Sequence, residues 1–161
     1  MRYNKVILIF LLMSSMAIYQ TALSERAEAD GDEEKTYVGT VSCGKCHEDH
    51  YSSYTANSKK AHSFESVRKM RKGLTDSEYE ECLTCHTTGY GKPGGYQSEQ
   101  ATPELKNLGC ESCHGPGSAH IKSEDPEDII SSLNVEFCTS CHNPERVAAF
   151  NFKPLLFGGA H

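Results

Sequence analysis

Hydrophobic residues along this chain are dense only once. Val6 to Ile18 is an apolar run of thirteen residues behind Arg2 and Lys5, and it leads to Ala27-Glu28-Ala29. That layout, positive then apolar then small-x-small, predicts a secretory signal peptide over residues 1–29 with cleavage near Ala29. A spanning helix needs about 20 apolar residues, so no permanent membrane anchor is expected. Residues 30–36 are acidic and polar and read as a disordered lead-in. From there on the pattern predicts short helices and long loops, with no convincing strand run.

A helix is expected from about Glu48 through Arg71, broken near Asn57, with Phe64, Val67 and Met70 on one side. Thr75-Asp76-Ser77-Glu78 has the form of a capping box and opens a helix that delivers Cys82. Thr102-Pro103 and Asp125-Pro126 read as N-caps followed by first-turn prolines. The first leads towards Cys110 and the second towards Ile129, Ile130 and Leu133. Gly89 to Gly95, with Pro93, is a loop.

The chain has 161 residues, and removing the export segment leaves about 132. That loss takes Arg2, Lys5, Arg26, Glu25 and Glu28, so 16 basic and 22 acidic residues become 13 and 20. An acidic surface excludes nucleic acid as a partner, since binding it requires neutralising phosphates. There is no tryptophan, and large aliphatics are few. A domain this small with so little apolar material is marginal on side chains alone.

The eight cysteines change the picture. In an exported chain they would ordinarily suggest disulfides. Here all eight fall into C-x-x-C pairs, each followed at once by histidine: Cys43/Cys46/His47, Cys82/Cys85/His86, Cys110/Cys113/His114 and Cys138/Cys141/His142. This is the c-type haem attachment sequence. Cysteines three apart share one side of a helical turn, where their sulfurs can bond the two haem vinyl groups. The histidine four residues after the first cysteine lies on the same side and reaches the iron as proximal ligand. Zinc sites also use paired C-x-x-C, but they do not require a histidine after every pair. Four covalently attached haems c are expected, one per roughly 33 mature residues. At that density the haems must pack against one another and form the core.

Four of the eight histidines remain after the proximal set: His50, His62, His120 and His161. This is the number that four bis-histidine haems need as distal ligands. Methionine is the usual alternative, but Met1, Met13 and Met16 leave with the export segment and only Met70 stays. His50 lies three residues after His47, and about 10 Å of chain cannot pass around a macrocycle to its own haem's other face. His120, six residues beyond His114 and after a Gly-Pro-Gly turn, is also badly placed for its own haem. Both point to a neighbouring haem. Lys59, Lys60, Arg68, Lys69, Arg71 and Lys72 make a basic segment inside the acidic chain. It is read as a solvated helix face, with a docking patch for an acidic redox partner or pairing with haem propionates as alternatives.

From Tyr37 to His161 the chain resembles the tetrahaem cytochrome c-554 family of multihaem electron carriers. The resemblance is carried by Cys82-Leu83-Thr84-Cys85-His86 with Thr87-Thr88-Gly89-Tyr90-Gly91-Lys92-Pro93-Gly94-Gly95-Tyr96, and by Gly109-Cys110-Glu111-Ser112-Cys113-His114-Gly115-Pro116-Gly117. It implies a mainly α, compact multihaem cytochrome over residues 37–161, with long loops and closely stacked haem pairs. By that likeness His120 is distal to haem 1 (His47), His62 to haem 4 (His142) and His161 to haem 3 (His114). In the type member haem 2 is five-coordinate, and His50 is the candidate for that place on haem 2 (His86) here.

The expected function is electron transfer between redox partner proteins in the periplasm or outside the cell, without catalysis. Two alternatives stand beside it. One is a reductase of a small nitrogen oxide at a five-coordinate haem 2. The other is a homo-oligomer or extracellular filament subunit in which His50 or His161 is donated between copies.

Overall fold

A computed structural model describes residues 34–143. The expected export segment, most of the acidic lead-in and His161 lie outside these residues. Among those described the structure is helical, with seven short α-helices and no strand. They are α1 (Thr40–Cys43), α2 (Glu48–Asn57), α3 (Phe64–Met70), α4 (Asp76–His86), α5 (Glu111–His114), α6 (Ser118–Ser123) and α7 (Val135–Thr139). Turns of 3-10 helix at Lys59–His62, Arg71–Gly73, Pro103–Leu105 and Pro126–Asp128 stand between them. The mainly α expectation therefore holds.

The break expected near Asn57 has a local cause. Ser58 is extended at φ −87° and ψ 122°, and its side chain accepts from the Lys60 N–H, which starts a new turn. The chain then re-enters helix at Phe64, so one expected helix is three pieces. Met70 does not join Phe64 and Val67 in the interior; it is 51% exposed at the end of α3. The capping box forms as read. Thr75 Oγ1 accepts from the Glu78 N–H and the Glu78 carboxylate accepts from the Thr75 N–H. Both proline signals yield only 3-10 turns. Asp125 caps its turn by accepting from the Glu127 N–H. Thr102 caps nothing; its hydroxyl instead accepts from the Gln97 N–H.

The side-chain core is small. Phe64, Val67, Leu83, Tyr96 and Leu105 are buried together, with Tyr37, Tyr79, Cys82 and Tyr90 packed against them. These residues come from α3, α4 and the 87–105 segment, so the core lies against the first cysteine of the second pair, Cys82. The loop after α4 is pinned by Thr88, whose N–H donates to the Leu105 carbonyl and whose carbonyl accepts from the Tyr96 N–H. Gly89 sits at φ +69°, and a Cβ there would meet the Tyr37 ring at 2.6 Å. Only glycine meets both demands.

Candidate haem-binding sites

Each C-x-x-C-H forms a helical turn. His47, His114 and His142 donate their N–H groups to the carbonyls of Cys43, Cys110 and Cys138, at 3.0 Å in each case. The second pair closes α4. Helical geometry puts residues i, i+3 and i+4 on one face, so in every motif two thiols and an imidazole share a side. None of the eight cysteines is paired in a disulfide. Among the described residues no group of histidines, cysteines and carboxylates is arranged to hold a metal ion by itself. The disulfide reading therefore has no bridge to support it, and the zinc reading has no ligand cluster.

The histidines are oriented. His86 Nδ1 lies 2.9 Å from the Ser63 carbonyl, His114 Nδ1 lies 2.6 Å from the Ile130 carbonyl, and His120 Nδ1 lies 2.8 Å from the Asp125 carbonyl. A carbonyl can only accept, so Nδ1 carries the proton and donates. The opposite nitrogen, Nε2, is left with its lone pair outward, which is the tautomer a metal-bound histidine adopts. Sequence reading missed these three acceptors because a backbone carbonyl leaves no residue-type signal.

One pair of rings from distant segments comes together. His47 follows α1 and His120 lies on α6, yet their ring centroids are 6.2 Å apart with planes 17° from parallel. Two imidazoles on opposite faces of one iron hold their centroids roughly 6 Å apart, from a metal–nitrogen bond of about 2 Å on each side plus two ring radii. The residues thus fit a haem at the first motif. His50 lies 6.4 Å from His47 but tilted by 56°, as an exposed neighbour on the next helix. His62 is exposed at the end of its 3-10 turn, and His142 is half-buried. Burial lowers the His142 pKa, and Lys60 nearby lowers it further.

The motifs also adjoin one another, with Cys113 of the third near Cys138 and Cys141 of the fourth. Cys43 and Cys110 are close enough to share a hydrogen bond, which pulls the Cys110 thiol down to about 7 and raises that of Cys43. Burial pushes Cys141 up to about 11, and a hydrogen bond with Cys85 adds to the rise. The first motif therefore adjoins the third, and the second adjoins the fourth. Apolar side chains stand exposed next to the motifs that lack the side-chain core: Val41, Ile121, Ile130, Val135 and Phe137. An apolar macrocycle needs surface of this kind to pack on.

The basic segment is partly committed internally. Arg68 pairs with Glu65 at 2.7 Å. Arg71 pairs with Asp76 and lies 4.6 Å over the Tyr79 ring. For these two, the helix-face reading describes what they do.

Comparison with known proteins agrees with this geometry. The family model described as "Cytochrome c554 and c-prime" matches residues 42–115, which contain the first three motifs. Cytochrome c-554 of Nitrosomonas europaea is 36% identical over 91 residues, covering 50% of this chain and 39% of that protein. The chain therefore matches well under half of the length of this curated relative. The structure of reduced cytochrome c554 from Nitrosomonas europaea superposes with a TM-score of 0.57 at 25% identity, over 79% of this chain and 85% of that one. In its helical C-x-x-C-H turns and in the absence of strands among the described residues, the chain is similar to the cytochrome c-554 family of c-type cytochromes.

Proposed function

We propose that this protein is an exported electron carrier with four haems c. Cys43 and Cys46, Cys82 and Cys85, Cys110 and Cys113, and Cys138 and Cys141 form the thioether bonds, and His47, His86, His114 and His142 are the proximal ligands. The observation that carries the reading is the His47–His120 pair, 6.2 Å apart and nearly parallel. His120 is brought there by a separate helix and turned by the Asp125 carbonyl. An iron with both axial positions filled by protein has no place for a substrate, and that is the chemistry of a carrier. When bound, the haems supply one reversible electron each. The polypeptide orients the ligands and sets motif beside motif, first with third, third with fourth and second with fourth. Short separations between the groups follow from that packing. His62 and His161 would be the distal ligands on haems 4 and 3, and His50 the distal ligand on haem 2. The apolar segment Val6–Ile18 and Ala27-Glu28-Ala29 direct export to the periplasm or beyond, where donor and acceptor proteins are met.

The test joins mass and spin state. Intact protein from a cell competent in cytochrome maturation should carry four haem additions, and His120→Ala should convert one haem from low to high spin. A colourless chain, or a silent His120→Ala variant, would overturn the reading.

A five-coordinate haem 2 is the second reading. It is favoured by His50 placing its ring beside His47 of the first motif, while His86 belongs to the second. That iron could bind and reduce a small nitrogen oxide. Carbon monoxide binding to one haem of the wild-type protein supports it, and no binding excludes it.

A further inference from the structure

Glu111 is the second residue of the third cysteine motif, where helical pattern and charge would send it to solvent. It is 2% exposed. Its Oε1 accepts from the N–H groups of Val38 at 2.9 Å and Gly117 at 2.8 Å. Its Oε2 accepts from Gly39 at 2.8 Å and again from Val38 at 3.1 Å.

The donors have a specific meaning in the fold. Gly39 is the N-cap of α1, the helix that ends at Cys43 and feeds His47. Gly117 is the N-cap of α6, the helix that carries His120. One carboxylate, itself in α5, therefore fastens the start of both helices that present the facing imidazoles. A second tie runs alongside, with the Thr36 N–H donating to Ser118 Oγ and the Ser118 N–H to the Thr36 carbonyl. Charge-assisted bonds of this kind are roughly twice as strong as neutral ones. No neutral side chain offers two oxygens that both only accept.

We propose that Glu111 is a positioning residue for the axial histidine pair of haem 1, acting through α1 and α6 on His47 and His120. This rests on the reading that those two histidines face one iron. Ligand geometry must hold within about 0.5 Å to be productive, and two helices of four and six residues cannot hold that register alone.

Glu111→Gln preserves size but replaces one acceptor oxygen with a donor that confronts backbone N–H groups. The holoprotein should keep its full haem content. His120 binding should weaken about 10-fold, the low end for removing an outer partner of a metal-bound histidine. The readouts are a partial low-to-high-spin change and a displaced reduction potential, both confined to the haem that His120→Ala converts.

Three results separate the possibilities. If His120→Ala converts one haem while Glu111→Gln leaves its spin state and potential unchanged, the positioning role is overturned and the axial pair stands. If Glu111→Gln disturbs every haem equally, its role is general scaffolding and the proposal also fails. A silent His120→Ala sinks the axial pair and the proposal together. Should Glu111→Gln not accumulate, Gly117→Ala takes its place. Its Cβ would meet Oε1 at 3.2 Å while the carboxylate stays, and the same single haem should shift. An unchanged spectrum there counts against the proposal as well.

Discussion

At the scale of single residues, the candidate ligands and their supports differ in how they announce themselves. Cysteine and histidine are read directly because spacing and residue type define thioether attachment. The groups that orient them are carbonyls of Ser63, Ile130 and Asp125, and any residue supplies a carbonyl. Ser63 is the fullest case. Its hydroxyl donates to the His86 carbonyl at 2.8 Å and accepts from the Leu108 N–H at 2.9 Å, while its own carbonyl holds the His86 ring. Ser63→Ala removes the two hydroxyl bonds and leaves the half-buried Leu108 N–H without its acceptor, so stability should fall by about 1–2 kcal/mol. The ring contact uses the main chain and survives the substitution, so the spin state of haem 2 should not change. Denaturant titration beside a visible spectrum checks both halves. A stable variant would mean Leu108 finds another acceptor, and an altered spectrum would mean the hydroxyl matters to the ring.

At the scale of elements, what could be read was decided by where the helix ends receive their hydrogen bonds. The opening of α4 was legible because a capping box is local: Thr75 and Glu78 satisfy each other without help from the rest of the fold. The ends of α3 and the fate of Thr102 were not, because tertiary partners decide them. The Phe64 N–H at the start of α3 donates to Asn107 Oδ1, and Thr102 turns to Gln97. Thr75→Ala should therefore destabilise α4 by about 1 kcal/mol, lowering the thermal midpoint without moving the spectrum of haem 2. The Glu78 half of the box depends on pH. The Thr75 backbone and hydroxyl hold its carboxyl below the ordinary range, so its contribution is whole above that range and is lost as pH falls through it. Both proteins should lose stability in acid, and the gap between the thermal melts of wild type and Thr75→Ala should narrow there as the bond from the Thr75 hydroxyl to the Glu78 carboxylate is lost. A gap that stays constant would show that this hydroxyl–carboxylate bond adds nothing.

At the scale of the whole molecule, tyrosine does what aliphatic residues do in larger domains. Tyr37, Tyr54, Tyr79, Tyr90 and Tyr96 come from the segment before α1, α2, α4 and the glycine-rich loop, and burial is the largest cause of a raised pKa in all five. Tyr54 donates its hydroxyl to the Leu108 carbonyl at 2.6 Å, and Tyr96 packs on Phe64 at 5.8 Å between ring centroids. The scarcity of aliphatics was visible in the composition. Which tyrosines would be buried was not, because the groups that hold Tyr54 and Tyr96, the Leu108 carbonyl and the Phe64 ring, are distant from them in sequence. The consequence for stability has a definite sign. Folded tyrosines hold their protons above the ordinary value of 10.0, with Tyr96 pushed up to about 12, so the unfolded chain binds fewer protons in that window. Stability should be whole below about pH 10 and fall as pH rises towards the folded values, because unfolding then releases protons. Chemical denaturation at stepped pH, with tyrosinate absorbance followed in the same samples, should show the midpoint dropping as the buried tyrosines ionise. A midpoint that stays level while all five tyrosines ionise would mean their burial contributes nothing to the fold.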